Sequence, residues 1–86
     1  MYTVNYTSSA VKELKKLPSN VQDRVRYAIE ELKENPRHSG VEKLTTSSKS
    51  QEYRIRVGDY RVKFLIHDDI LTIFVIKVRH RKNVYN

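Results

Sequence analysis

On either side of Gly58-Asp59 the chain alternates apolar and cationic residues in mirror image, Tyr53-Arg54-Ile55-Arg56-Val57 before the pair and Tyr60-Arg61-Val62-Lys63-Phe64 after it. A period of two sends successive side chains to opposite faces of a strand, and two such runs joined by Gly-Asp predict a hairpin with a two-residue turn. Counting outward from the turn fixes the register. Val57 falls opposite Tyr60, Arg56 opposite Arg61, Ile55 opposite Val62, Arg54 opposite Lys63 and Tyr53 opposite Phe64. One face is then apolar and has to be covered, while the other carries four cations. A slip of one residue would exchange the two faces and bury the charges, so the pairing is strongly specified.

The cover has to come from the N-terminal half. Tyr2-Thr3-Val4-Asn5-Tyr6 alternates as a short strand, and Thr7, Ser8 and Ser9 offer a helix cap. Ala10, Val11, Leu14 and Leu17 recur at helical spacing up to Pro18. Ser19-Asn20-Val21-Gln22 has the form of a capping box, and it opens a longer helix with Val21, Val25, Ala28, Ile29 and Leu32 on one stripe, closed by Asn35-Pro36. Val41 to Leu44 allows a short strand, and Thr45 to Ser50 reads as a polar loop. After the hairpin, Asp68-Asp69 predicts a second tight turn and Ile70 to Val78 a further strand. Two amphipathic helices and a meander of strands give an α+β fold, a two-helix hairpin packed on one face of a small antiparallel-rich sheet, with residues 1–86 expected as a single domain.

Composition narrows the chemistry. The chain has 86 residues, 17 Lys and Arg against 10 Asp and Glu, and a formal charge of +7, with the excess leaning to the C-terminal side. A chain of this length leaves no room for an enclosed cofactor, so any chemistry is expected on an open face with no cofactor. Cysteine is absent, which removes thiol nucleophiles and thiolate metal sites, and His38, His67 and His80 lack ligand spacing, so no metal site is expected. No apolar run is long enough for a signal peptide or a membrane span, and a soluble cytoplasmic protein without a membrane partner is the expectation. The basic excess points to a polyanion.

The cationic face of the hairpin is the place for that polyanion. Opposed like charges on neighbouring strands are destabilising, and the sequence puts no acid among Arg54, Arg56, Arg61 and Lys63 except Glu52 at the edge. Lys77, Arg79, Arg81 and Lys82 surround His80, and Tyr85 follows. Arginine offers bidentate donors to phosphate, tyrosine a stacking surface, and histidine a proton exchanged near neutral pH. Such a set suits metal-free RNA cleavage, in which a 2′-OH attacks the adjacent phosphate in line. Arginine is too weak an acid to serve as base, which leaves His80, ionised Tyr85, Glu52 or a group from a partner. Asp68 and Asp69 read as turn formers.

These segments together resemble the RelE/ParE superfamily of type II toxins, in its RelE-like branch. The resemblance covers nearly the whole chain and rests on Glu34-Asn35-Pro36-Arg37, Lys43-Leu44, the stretch from Glu52 to Val62, and Val78-Arg79-His80-Arg81-Lys82-Asn83-Val84-Tyr85. It implies a toxin held silent by a cognate, RelB-like antitoxin with an acidic segment, and a ribosome-dependent endoribonuclease acting on mRNA in the A site. Cleavage by 2′-OH attack would leave a cyclic phosphate and a 5′-OH. Operator DNA would be met only through the antitoxin complex. The implied catalytic set is Arg56, Arg61, His80, Arg81 and Tyr85, with Arg61 and Arg81 stabilising charge and Tyr85 orienting the base. The implied RNA contacts are Lys43, Lys49, Arg54, Lys63, Arg79 and Lys82. Three positions depart from the family pattern: Arg54 and Arg56 stand where some members have lysines, one of them a proposed base, and Arg79 replaces a glycine. His80 is therefore the first candidate for the proton carrier. Two other readings use the same fold: a ParE-like gyrase inhibitor, and a non-catalytic RNA-binding module.

Overall fold

The computed structural model describes residues 1–44 and 52–83. Its five strands are β1 (Thr3–Tyr6), β2 (Glu42–Lys43), β3 (Glu52–Val57), β4 (Tyr60–His67) and β5 (Thr72–His80), and they lie in one sheet in the order β1-β5-β4-β3-β2. β1 runs parallel to β5, and the other pairs are antiparallel. Helices α1 (Ser8–Lys15) and α2 (Ser19–Glu34) precede β2. The β3–β4 register is the one counted from the turn, pair for pair, with Gly58 at φ +58°, a conformation glycine adopts without strain.

Helix α1 starts where Thr7 Oγ1 accepts the Ala10 N–H at 3.1 Å. The start of α2 differs from the predicted capping box. Pro18 takes the cap position at φ −55°, with no side-chain cap, and Ser19 is already helical. Proline brings a pre-set φ to a helix start and needs no N–H partner there. Gln22 consequently turns backward, and its amide donates to the carbonyls of Leu17 (2.8 Å) and Lys15 (3.3 Å), which the end of α1 leaves open.

Ala10 and Leu14 of α1 and Val25, Ile29 and Leu32 of α2 close over Tyr53, Ile55, Val62, Phe64, Ile66, Ile73, Val75 and Val78. All of these are buried, and burying each large one stabilises the fold by about 1.5–3 kcal/mol. The turn after β4 is longer than predicted. Asp68–Ile70 forms a single 3-10 turn closed by the Leu71 N–H on the Asp68 carbonyl at 3.2 Å, so β5 begins at Thr72 and not at Ile70. Leu71 takes a positive φ of 48° there.

One irregularity in β5 shapes the site. Lys63 pairs with Lys77 but Phe64 pairs with Val75, so Ile76 is an extra residue, a β-bulge. Before it Ile73 and Val75 face the helices; after it Val78 does. Strict alternation through Ile73 and Val75 would have turned Lys77 and Arg79 into the core. The bulge sends them to the opposite face, beside Lys63 and Arg61.

Candidate nucleic-acid interface

Away from the helices, Arg54, Arg61, Lys63, Lys77, Arg79 and Leu44 line a shallow groove. Three strands supply its cations at matched heights, since Arg61 pairs with Arg79, Lys63 with Lys77 and Arg54 with Lys63. Arg56 stands opposite Arg61 at the outer end, with a side chain 57% exposed.

The expectation of a patch with no acid but Glu52 is corrected by the structure. Edge strand β2 sets Glu42 opposite Arg54. Its carboxylate accepts from Arg54 Nη2 at 2.9 Å and lies 3.4 Å from Arg56 Nε. The hydrogen bond from Arg54, and the charges of Arg54, Arg56 and Arg61, hold the Glu42 carboxyl below the usual carboxylate range. Glu52 lies 3.3 Å from Lys63 Nζ. Glu13 of α1 accepts from the Val78 N–H at 2.9 Å and from Arg79 Nε at 2.7 Å, so the same carboxylate caps the β5 edge beyond β1 and draws Arg79 toward it.

Arg61 is different. It makes no ion pair among the described residues; Nη1 reaches only the carbonyls of Tyr60 (3.3 Å) and Gly58 (3.5 Å), and its Nε is buried without an acceptor. A buried donor left unmade costs roughly 1–3 kcal/mol. Folding thus holds one guanidinium in the groove with a buried donor unmade and, among the described residues, no carboxylate within ion-pair distance.

The structure brings together Arg54, Arg61, Lys63 and Arg79 of the predicted set, with Arg56 at the rim. It separates others. His80 pairs with Tyr60 and meets its ring edge-on at 5.2 Å, which places it on the helix-side face, across the sheet from Arg61. Its Nδ1 accepts from the Lys82 N–H at 3.3 Å. Lys43 pairs with Tyr53 and so lies on the face of β2 opposite Glu42, not toward the groove. Arg81 and Lys82 are exposed beyond β5, where the Arg81 N–H donates to the Asp59 carbonyl at 2.7 Å and its Nε is 3.9 Å from the Asp59 carboxylate. Lys49, Tyr85 and the polar loop from Thr45 to Ser50 lie outside the described residues. Among the described residues no three His, Asp or Glu side chains gather as metal ligands, and no helix is long and apolar enough to cross a membrane.

Sequence reasoning counted Lys77 only among the cations around His80, without a contact of its own, and gave Glu42 no role. Lys77 was hidden by the bulge, and Glu42 by a two-residue strand too short to give a periodic signal. Asp68 also does more than form a turn. It accepts two bonds from Arg37 (3.0 and 2.8 Å) and one from the Tyr2 hydroxyl (2.7 Å), which hold its pKa down at about 2.

This fold is that of a type II toxin. Residues 4–85 match the model of the family described as the ParE toxin of the type II toxin-antitoxin system, parDE, and the chain belongs to that family. Within it the similarity runs to RelE toxins. Toxin RelE3 of Methanocaldococcus jannaschii is 32% identical over 85 residues, covering 96% of this chain and 94% of that one. The mRNA interferase toxin RelE of Escherichia coli K12 is 30% identical over 87 residues, covering 99% and 90%. The RelE-RelB complex of Pyrococcus horikoshii superimposes with a TM-score of 0.82 at 29% identity, over 96% of this chain and 98% of that one.

Proposed function

We propose that this toxin is an endoribonuclease that cuts mRNA on the ribosome, without a metal, by attack of a 2′-OH on the adjacent phosphate. The observation that carries the reading is Arg61, a guanidinium at the groove with a buried, unsatisfied Nε and no ion pair among the described residues. Charge builds on the phosphoryl oxygens in the transition state, and a fixed cation beside them stabilises that charge without reorganising. Arg54, Arg56, Lys63 and Arg79 bind the flanking backbone, exchanging carboxylates for phosphates as RNA enters. Arg81 assists the leaving oxygen and Tyr85 orients the base.

Proton transfer is the weak part of this site. Among the described residues no histidine lines the groove, and Glu42, with its lowered pKa, is a poor base. A protein with strong charge stabilisation and little proton-transfer capacity depends on its substrate being presented in line, which a ribosome holding mRNA supplies. The similarity to a protein named mRNA interferase supports the substrate, and the similarity to RelE-RelB complexes supports a RelB-like antitoxin, whose acidic segment would seat on the same cations.

Primer extension on a translated message tests this. Wild-type toxin should cut with ribosomes present and hardly at all without them, and Arg61→Ala should lower cutting by a factor of about 100 or more. Equal cleavage of naked RNA overturns ribosome dependence. Growth arrest with intact mRNA and lost DNA supercoiling overturns the nuclease reading.

A further inference from the structure

Of the five cations that line the groove, three are already matched within the fold: Arg54 by Glu42, Lys63 by Glu52 and Arg79 by Glu13. Arg61 and Lys77 make no ion pair among the described residues. The two are diagonal neighbours on β4 and β5, because Arg61 pairs with Arg79 and Lys77, two residues before Arg79, pairs with Lys63. Diagonal positions on one sheet face lie about 7–8 Å apart, within reach of two long side chains converging on one tetrahedral anion.

We propose that Arg61 and Lys77 form a single phosphate subsite, with Lys77 as its second cation. An incoming phosphate meets the matched cations at a disadvantage, because each contact there displaces a carboxylate. At Arg61 and Lys77 it displaces no carboxylate of the described residues. The bulge at Ile76 is what creates the site, since it alone carries Lys77 to this face. That the bound phosphate belongs to RNA rests on the ribonuclease reading; the subsite itself does not.

Two probes keep these apart: inorganic pyrophosphate, and a short oligoribonucleotide with 2′-O-methyl sugars that cannot be cut, each titrated across a range of salt. Lys77→Gln should melt like wild type, because the side chain is exposed. It should weaken both probes about five- to tenfold and flatten the log–log salt slope for the oligonucleotide by about 0.7, the loss of one single-strand phosphate contact. Lys77→Arg should restore most of the affinity. Lys12→Gln, an equal loss of charge on exposed α1, should change affinity less than twofold. Wild-type affinity and slope in Lys77→Gln, or equal weakening in Lys12→Gln, overturns the subsite. Pyrophosphate binding that depends on Lys77, with no binding of the oligonucleotide to wild type, upholds the subsite and overturns the RNA reading.

Discussion

Arg37 and Arg61 stand near opposite ends of β4, and the fold treats the two guanidiniums in opposite ways. Arg37 donates twice to Asp68 and once to the Tyr53 hydroxyl at 3.2 Å, and lies 5.3 Å from the centre of the Tyr53 ring. Tyr2 adds its hydroxyl to the same carboxylate, so this corner ties β1, the segment after α2, β3 and the β4–β5 turn together. Arg61 receives two long carbonyl contacts and, among the described residues, no carboxylate. One corner is saturated and serves stability. The other is left short of partners and is available to a ligand.

The sharpest separation comes from removing each guanidinium in turn. Arg61→Ala should lower cleavage by a factor of 100 or more, about 3 kcal/mol of lost charge stabilisation, while leaving the thermal midpoint no lower than that of wild type. Lysine at 61 should recover only part of this, since a point charge does not reproduce a guanidinium fork. Arg37→Ala should do the reverse, lowering the midpoint by several degrees in a thermal melt and leaving cleavage per folded molecule intact.

Acid should affect the two ends of β4 differently. Because the folded pKa of Asp68 is depressed to about 2, its contribution to stability is fully present above the unfolded value near 3.8 and disappears as pH falls toward 2. Denaturation curves of wild type and Asp68→Asn should therefore differ at pH 6 and converge near pH 2. The smallest expected change is at Glu42. Its replacement by Gln should tighten RNA binding about two- to threefold and steepen the salt dependence, because Arg54 and Arg56 lose an internal competitor. Weaker binding in Glu42→Gln would mean that the carboxylate orients those arginines for RNA and does not compete with it.

The contrast between these regions also marks what the sequence made legible. The β3–β4 register and the apolar and cationic faces followed from local alternation around Gly58-Asp59, where the partners are neighbours in the chain. The Arg37–Asp68 corner joins residues far apart in sequence, and neither residue has a periodic pattern to announce the contact. Glu42 reached Arg54 through a strand of two residues. The predicted capping box failed because Pro18 took the cap first. His80 was expected beside Arg61 because both lie in basic surroundings, yet the ladder pairs it with Tyr60 on the other face. From Ile70 to Ile76 only Thr72 interrupts a run of apolar residues, so nothing there signals a change of phase, and Lys77 went unassigned.

The bulge at Ile76 makes chain length in β5 a functional variable in its own right. One added residue between Val75 and Lys77, with the bulge still a single residue, would keep every cationic residue and the net charge, yet it would turn Lys77 and Arg79 inward against α1 and leave Val78 facing the groove. Loss of Ile76 would instead restore plain alternation and leave both cations where they are. In aligning related toxins, a misplaced gap there changes which basic residues are assigned to the groove face, so spacing in this strand has to be settled before residue identity is compared.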